Sequence, residues 1–155
     1  GNSPYMVAFG WYFRGVIAWW SYKTEDVISD FDNTIKYQYQ CRPRIVIEAY
    51  ICKALALQEL KQPMDAKEAL NKGIQFAIDS DDPVNIALMA SGQVRLNLLQ
   101  GELGTAEKWL TSTKHIGLEA TMFWWVEIPA ITQCRVLIAL GTPESIDEAL
   151  IKLKE

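Results

Sequence analysis

Small and apolar residues recur along the chain at an interval of about 40 residues, which is the spacing expected of a structural repeat. In the clearest copy, Ala54 and Leu57 are three residues apart, and Ala66 and Leu70 are four apart. Each of these spacings places both residues on one face of a helix. The other copies are Gly15, Ala18, Val27 and Phe31; Val94, Asn97, Ala106 and Leu110; and Cys134, Leu137, Ile146 and Leu150.

Each repeat therefore predicts two helices joined by a short turn. The turn position reads Tyr22, Lys61, Gly101 and Gly141 in the four copies. A small residue at each contact lets the two helices approach closely, and the short turn makes them antiparallel. Because one helix pair cannot bury its own apolar face, neighbouring pairs must stack. The pattern predicts an all-α fold, an α-α superhelix that is a tetratricopeptide-like solenoid of about four antiparallel helix pairs.

Prolines mark the predicted starts of the first helices. Pro4, Pro43, Pro83 and Pro129 lie where the missing N–H costs little, and Asp82 is a predicted N-cap before Pro83. We see no strand alternation of useful length. The predicted helices cover residues 4–22, 25–39, 44–60, 63–79, 84–100, 103–115, 126–140 and 143–154. We expect a single helical repeat domain over residues 1–155, with repeats at about 4–40, 44–80, 84–120 and 124–155.

The residue order within the repeats resembles that of tetratricopeptide units. Those units carry an aromatic, a small and a large apolar residue on the first helix, and small and bulky residues in alternation on the second. The interval of about 40 exceeds the roughly 34 residues of that family, so the helices or turns are expected to be longer. The matching residues are Trp11, Gly15, Ala18, Val27 and Phe31, and then Tyr50, Ala54, Leu57, Ala66, Leu70 and Gly73.

Three phrases resemble the sensor arm of MalT-like transcriptional regulators, which are signal-dependent ATPases related to the LuxR group. They are EAYICKALALQ at 48–58, RLNLLQGEL at 95–103 and RVLIALGTPE at 135–144, and the resemblance covers roughly residues 44–154. It implies that the chain is a fragment of a larger protein, and that it is the ligand- or protein-binding sensor segment of a signal-responsive regulator. DNA would then be bound by a separate domain. A general scaffold that binds a peptide of a partner protein is the alternative.

Composition and charge limit the classes of protein to which the chain can belong. Half of the residues are hydrophobic and 22% are charged, which argues against disorder. The net charge is −4 and the basic residues are scattered, which argues against direct nucleic-acid binding by this segment. The apolar runs fall short of the roughly 18 residues of a membrane helix, and no basic-then-apolar stretch opens the sequence, so we do not expect secretion. Cys41, Cys52 and Cys134 lack the spacing of a zinc site or disulfide framework, so we expect a reduced, cytoplasmic setting.

Catalytic and metal-binding arrangements are not apparent in the sequence. His115 is the single histidine and has no paired ligand or nucleophile at suitable spacing. Asp79, Asp81 and Asp82 do not follow the calcium-loop pattern and read as a solvated turn with a helix cap. The sequence therefore predicts a binding protein that is not an enzyme and that needs no cofactor or metal in this segment.

Two arginines are the main candidates for binding. Arg95 and Arg135 each follow the small position of a first helix by one residue, in consecutive repeats. In tetratricopeptide arrays the first helices line a concave groove, where two arginines could grip a carboxylate or phosphate of a small-molecule inducer or protein. Salt bridging between repeats, for example to Glu102 or Glu127, is the alternative reading. The further groove candidates are Tyr12, Trp19, Gln58 and Ser91.

Aromatic and apolar residues at the two ends of the array predict further contacts. One tryptophan of each pair, Trp19-Trp20 and Trp124-Trp125, is expected to pack between repeats while the other is partly exposed. The end repeats lack a neighbour in this segment, so we expect the isolated segment either to self-associate or to be unstable. The candidate residues are Tyr5, Phe9 and Phe13 at one end, and Ile146, Leu150 and Leu153 at the other.

Overall fold

The computed structural model describes residues 3–113 and 126–154, and its regular structure within these ranges is helical. This confirms the all-α prediction, and helices that are adjacent in the chain pack as pairs. The described ranges form α1 (Pro4–Trp20), α2 (Thr24–Ile35), α3 (Pro43–Glu59), α4 (Pro63–Asp79), α5 (Pro83–Leu99), α6 (Leu103–Ser112), α7 (Pro129–Leu140) and α8 (Pro143–Lys152).

The end of α2 and the start of α7 differ from the prediction for identifiable reasons. α2 ends at Ile35 instead of continuing to residue 39, because the amides of Tyr37 and Gln38 bond the carbonyls three residues earlier and tighten the chain into turns. α7 begins at Pro129 instead of residue 126. The residue before a proline is sterically driven out of the helical region, and Ile128 is accordingly extended, with φ −124° and ψ 109°.

The helix starts and ends use the residues that the sequence pattern suggests. The amide of Val84 donates to Asp82 Oδ1 at 2.9 Å, so Asp82 caps α5 as predicted. The four turn positions all have positive φ: 56° at Tyr22, 63° at Lys61, 79° at Gly101 and 70° at Gly141. A left-handed residue directly after each first helix is therefore a feature that all four repeats share.

The first helix of each of the first three repeats, that is α1, α3 and α5, ends with the same pattern of backbone hydrogen bonds. The amides of Lys23, Gln62 and Glu102 each donate to the carbonyl five residues earlier, at 3.0, 3.0 and 2.8 Å. The amide of the left-handed residue before each of them donates to the carbonyl three residues earlier. This pair of bonds is the Schellman motif, which satisfies the last helical carbonyls and reverses the chain.

Lys61 occupies a backbone conformation that favours glycine, so Lys61→Gly is expected to stabilise the protein by about 0.5–1 kcal/mol. A urea titration measures the change as a shift in the unfolding midpoint. Gly141→Ala is a control that should change the stability in the opposite direction. An added Cβ there meets nothing within 4 Å, so the expected loss of about 1 kcal/mol in the free energy of unfolding would come from the positive φ alone. Destabilisation by Lys61→Gly would contradict this account of the turns.

The chain divides into two compact bodies, an N-terminal body up to Met89 and a C-terminal body from Ala90. In the N-terminal body, α1 packs on α2, α2 on α3 and α3 on α4, and α1 also contacts α3. The small positions are the points of closest approach. A Cβ on Gly15 would lie 2.8 Å from Phe31 Cε1, and a Cβ on Gly73 would lie 2.7 Å from Tyr50 Cβ. Ala54, as predicted, is fully buried.

In the C-terminal body, α6 packs on α7 and α7 on α8. Ala106 is fully buried against Val94 and Val136, as its place in the repeat predicts. The last repeat corrects the predicted register, because α8 turns Ser145 and Ala149 inward. Ile146 and Leu150 are exposed, which agrees with their prediction as uncovered apolar residues of the end repeat.

Hydrogen bonds at the start of α8 involve Ser145, one of the two residues that face inward. The side chain of Thr142 accepts a hydrogen bond from the Ser145 amide at 3.1 Å, and the Thr142 amide donates to Ser145 Oγ at 3.1 Å. This capping box fixes where the helix begins and holds Ser145 at the helix start. Ala149 lies one turn further on the same face, in a cluster with Cys134 and Leu137 of α7.

Candidate binding site

The carboxylate of Glu127 is the centre of a polar cluster in the C-terminal body. Glu127 lies two residues before α7 begins and is completely buried, with 0% of its surface exposed. A buried carboxylate is costly unless hydrogen bonds and opposite charges compensate it. Both of its oxygens have such partners.

Glu127 Oε1 accepts hydrogen bonds from two hydroxyl groups. Ser91 Oγ on α5 donates to it at 2.7 Å, and Thr132 Oγ1 in the first half of α7 makes a short hydrogen bond to the same oxygen. Ser91 and Thr132 are themselves fully buried. The carboxylate therefore links α5 to the start of α7 through neutral donors.

Glu127 Oε2 faces two arginines. Arg95 Nη1 donates to this oxygen at 3.1 Å and to the carbonyl oxygen of Val126 at 3.2 Å. Arg135 Nη1 lies 4.0 Å from the same Oε2 and donates to Thr132 Oγ1 at 2.8 Å. The set of Ser91, Arg95, Glu127, Thr132 and Arg135 is called the Glu127 cluster below.

The charges of the Glu127 cluster do not cancel, because two guanidinium groups share one carboxylate. Burial, and then the neighbouring Arg95 guanidinium, lower the pKa of Arg135, while Glu127 acts in the opposite direction. Arginine nevertheless stays protonated in proteins, so the cluster keeps a surplus positive charge. Such a charge is stabilised when a further anion approaches.

The two arginines differ in their access to solvent. The side chain of Arg95 is 19% exposed and is held by Glu127 and the Val126 carbonyl, whereas that of Arg135 is 37% exposed. The sequence predicts that the pair lie close together, and they do. Glu127, one of the two carboxylates named in the salt-bridge alternative, forms an ion pair with Arg95 and lies 4.0 Å from Arg135. Arg135 is the more exposed member of the pair.

Two of the other predicted groove residues are buried, which corrects their placement on an open surface. Tyr12 is 2% exposed and its hydroxyl donates to Glu48 Oε2 in a short hydrogen bond. Arg44 Nε lies 3.6 Å from the other Glu48 oxygen. Burial, and then the Glu48 charge, raise the pKa of Tyr12. Ser91 is fully buried in the Glu127 cluster.

The remaining groove candidates, Trp19 and Gln58, are half-buried residues of the N-terminal body. The Glu127 cluster thus brings together Ser91, Arg95 and Arg135 from the predicted set.

Tyr12 and Ser91 share a role that the sequence analysis missed. Each lies three residues before the small position of its repeat, and each donates a hydroxyl hydrogen bond to a buried glutamate 36 residues later in the chain. Glu48 and Glu127 are those glutamates, and they are 1% and 0% exposed. The equal spacing could have identified both pairs from the sequence, because a buried glutamate inside an otherwise apolar stretch needs a hydrogen-bond donor.

No family model, curated protein or solved structure matches this chain. The resemblance to MalT-like regulators therefore rests on the three sequence phrases alone. The geometry of the Glu127 cluster stands independently of that resemblance.

Other candidate chemistry is limited within residues 3–113 and 126–154. No three His, Cys, Asp or Glu side chains gather there as metal ligands. The three cysteines form no disulfide, and burial raises the pKa of Cys41 and Cys134. Across the described helices, none combines the length and apolar character needed to cross a membrane. His115 and the Trp124-Trp125 pair lie outside the described residues.

Proposed function

We propose that this chain is a helical-repeat binding module that takes an anionic group, a carboxylate or phosphate, at the Arg135 side of the Glu127 cluster. The observation that carries the proposal is the placement of two guanidinium groups beside one buried carboxylate, with Arg135 the more exposed of the two. The anionic group belongs to a small ligand or to an acidic segment of a partner protein.

The way Arg135 is held supports this role. Its Nη1 donates to Thr132, but its distance of 4.0 Å from Glu127 Oε2 exceeds hydrogen-bond range. Glu127 therefore fixes the position of Arg135 by charge without occupying the planar fork of the guanidinium. That fork matches a carboxylate or phosphate in a bidentate pair. Arg95 and Glu127 form the buried base of the site, and Arg135 forms its accessible edge.

The finer proposal is that the module is the sensor segment of a signal-responsive regulator of the MalT-like, LuxR-related type. It is supported by the phrases at 48–58, 95–103 and 135–144. A general scaffold that binds an acidic peptide is the alternative, and it would use the same arginine. The two differ in the polypeptide that carries the module: the sensor requires a nucleotide-binding domain and a helix-turn-helix in the same polypeptide, and the scaffold does not.

Arg135→Gln is expected to weaken binding of an acidic peptide about tenfold, because a charge-assisted hydrogen bond contributes about 1.5 kcal/mol or more. The measurement is calorimetric titration of the chain with a hexaglutamate peptide and, separately, with inorganic phosphate. The first probe represents an acidic partner segment and the second a small anion. Binding of either that depends on Arg135 supports the site.

The matched control is Arg42→Gln, which removes the same charge from an exposed residue outside the cluster. It is expected to leave binding within about twofold, because exposed charges at a distance are screened by salt. Equal losses in the two variants would show that only net charge matters. No loss in Arg135→Gln would remove the support for the proposed site.

A further inference from the structure

The side chain of Thr132 contacts both Glu127 and Arg135 through a single oxygen atom. Thr132 Oγ1 makes a short hydrogen bond to Glu127 Oε1, and Arg135 Nη1 donates to the same Oγ1 at 2.8 Å. Thr132 is itself fully buried. Its hydroxyl group therefore joins the buried carboxylate to the more exposed of the two guanidinium groups.

The direction of both hydrogen bonds follows from the chemistry of the two partners. An ionised carboxylate only accepts hydrogen bonds, and a guanidinium only donates them. A hydroxyl group has one hydrogen to donate and two lone pairs that accept. The hydrogen of Thr132 therefore points to Glu127, and a lone pair of Oγ1 points to Arg135. Replacing this hydroxyl by a methyl group would remove both bonds at once.

The first turns of α7 hold the Thr132 hydroxyl in place. Thr132 and Arg135 are three residues apart on this helix, so their side chains share one face. The amide of Thr132 donates to the carbonyl of Ile128 at 3.1 Å, which fixes its backbone in the helix. A β-branched side chain has few rotamers on a helix. The hydroxyl is thus a fixed point to which the long arginine side chain is tied.

Thr132 engages one part of the Arg135 guanidinium and leaves another. Both contacts of Arg135 in the Glu127 cluster, to Thr132 Oγ1 and to Glu127 Oε2 at 4.0 Å, are made by Nη1. The atoms Nε and Nη2 carry two parallel N–H bonds along a different edge of the group. An edge of this kind grips both oxygens of a carboxylate in one plane.

The other donor groups of the Glu127 cluster are directed at Glu127 itself. The hydroxyl hydrogens of Ser91 and Thr132 both go to Oε1, and Arg95 Nη1 donates to Oε2. The cluster therefore offers a ligand beside Arg135 one flat pair of N–H donors. The two coplanar oxygens of a carboxylate are satisfied by such a pair, whereas the tetrahedral oxygens of a phosphate also need donors from outside that plane.

We propose that Thr132 is a positioning residue for the anion site: its hydroxyl holds Arg135 by Nη1 and keeps the Nε–Nη2 edge for the carboxylate of a ligand. This role rests on the proposed function and narrows the bound group from an anion to a carboxylate. A long side chain loses rotamer freedom when it grips a ligand, and a side chain that is already held loses less. Thr132 thus raises the affinity of the site without touching the ligand.

The first test compares Thr132→Val with Thr132→Ser in calorimetric titrations of the full chain with hexaglutamate. Valine keeps the shape but lacks the hydroxyl, and it should weaken binding about two- to tenfold, because the ligand must then order Arg135 itself. Serine keeps the hydroxyl but lacks the methyl group, and it should restore the affinity of the parent chain.

The matched control for the first test is Thr34→Val. It removes the hydroxyl of another fully buried helical threonine, which bonds the Asp30 carbonyl of its own helix, and it should leave binding unchanged. Equal affinity of Thr132→Val and the parent chain would overturn the positioning role. So would an equal loss in Thr132→Val and Thr132→Ser, or in Thr132→Val and Thr34→Val.

The second test observes the hold on Arg135 in the absence of a ligand. In the chain with ¹⁵N-labelled arginine, the heteronuclear Overhauser effect at Arg135 Nε reports motion of this side chain on the picosecond to nanosecond timescale. Thr132→Val should increase this motion, whereas Thr132→Ser and Thr34→Val should not. An Arg135 side chain as ordered in Thr132→Val as in the parent chain would overturn the positioning role, even if hexaglutamate binds. Increased motion in Thr132→Val with no hexaglutamate binding by the parent chain would support the hold and overturn the proposed function.

The third test concerns the carboxylate and uses Arg135→Lys, which keeps the positive charge but has no planar pair of N–H donors. Hexaglutamate should bind this variant as weakly as it binds Arg135→Gln. Binding as tight as that of the parent chain would show that charge alone suffices, and it would overturn the bidentate contact. Tighter binding of inorganic phosphate than of hexaglutamate to the parent chain would overturn the assignment of a carboxylate.

Discussion

Glu127→Gln is expected to lower the free energy of unfolding by about 2–4 kcal/mol, the largest effect of any single substitution considered. Glutamine has the size of glutamate but no charge, so Arg95 and Arg135 would lose the anion between them. Removing one partner of a buried ion pair typically costs about 3–5 kcal/mol, and partial exposure of both arginines reduces the cost here. The amide would also turn a donor toward groups that are themselves donors.

The measurement is a urea titration in which the midpoint falls and the slope stays constant. Glu107→Gln is the control, because it removes the same charge from an exposed position on α6 and should stay within about 0.5 kcal/mol of the parent chain. A Glu127→Gln midpoint as close to the parent as that of the control would mean that the Glu127 cluster does not hold the C-terminal body together.

Gly73→Ala is expected to destabilise the protein by about 1–3 kcal/mol, although alanine is the better helix former. The added Cβ would lie 2.7 Å from Tyr50 Cβ, and it would also press on the end of the Met89 side chain. Met89 can move away because its terminal methyl is flexible. Tyr50 Cβ is fixed to the backbone of α3, so the helices α3 and α4 would have to separate.

The matched control for Gly73→Ala is Gly104→Ala on α6, where an added Cβ meets nothing within 4 Å. This control should be neutral or slightly stabilising, by up to about 0.5–1 kcal/mol, through helix propensity. Thermal unfolding followed by circular dichroism compares the two. A Gly73→Ala variant that melts with or above the control would show that the small position does not set the distance between the helices.

The repeat was predictable from the sequence because its signals are local. The turn positions were named from spacing alone, and Tyr22, Lys61, Gly101 and Gly141 all adopt positive φ. The small positions were named from periodicity, and they lie at helix contacts such as that of Gly15 with Phe31. Spacing along a helix fixes which residues share a face, so these properties do not depend on distant parts of the chain.

The orientation of α8 was not predictable from periodicity. The repeat register points Ile146 and Leu150 inward, but Ser145 and Ala149 are the buried residues of α8, although the helix starts at residue 143 as predicted. Moving the inward positions by one residue rotates the face by about 100°. The capping box between Thr142 and Ser145 belongs to the inward face, and the periodicity of apolar residues does not reveal it.

The binding site was predictable only in part. The positional argument brought Arg95 and Arg135 together correctly, since both lie beside Glu127 Oε2. It could not show that the side chain of Arg95 is less exposed than that of Arg135, at 19% against 37%. Nor could it show that Tyr12 and Ser91 turn inward, because their partners Glu48 and Glu127 belong to the next repeat and are identified only by the packed structure.

The central claim is that Arg135 receives an anionic group while Arg95 and Glu127 remain paired beneath it. The most direct measurement is nuclear magnetic resonance of the chain with ¹⁵N-labelled arginine, following the side-chain Nε–Hε signals during titration with hexaglutamate. The account predicts that the Arg135 signal shifts saturably and that the Arg95 signal changes little. A titration that leaves Arg135 unmoved, or that shifts Arg42 and Arg135 equally, would contradict it.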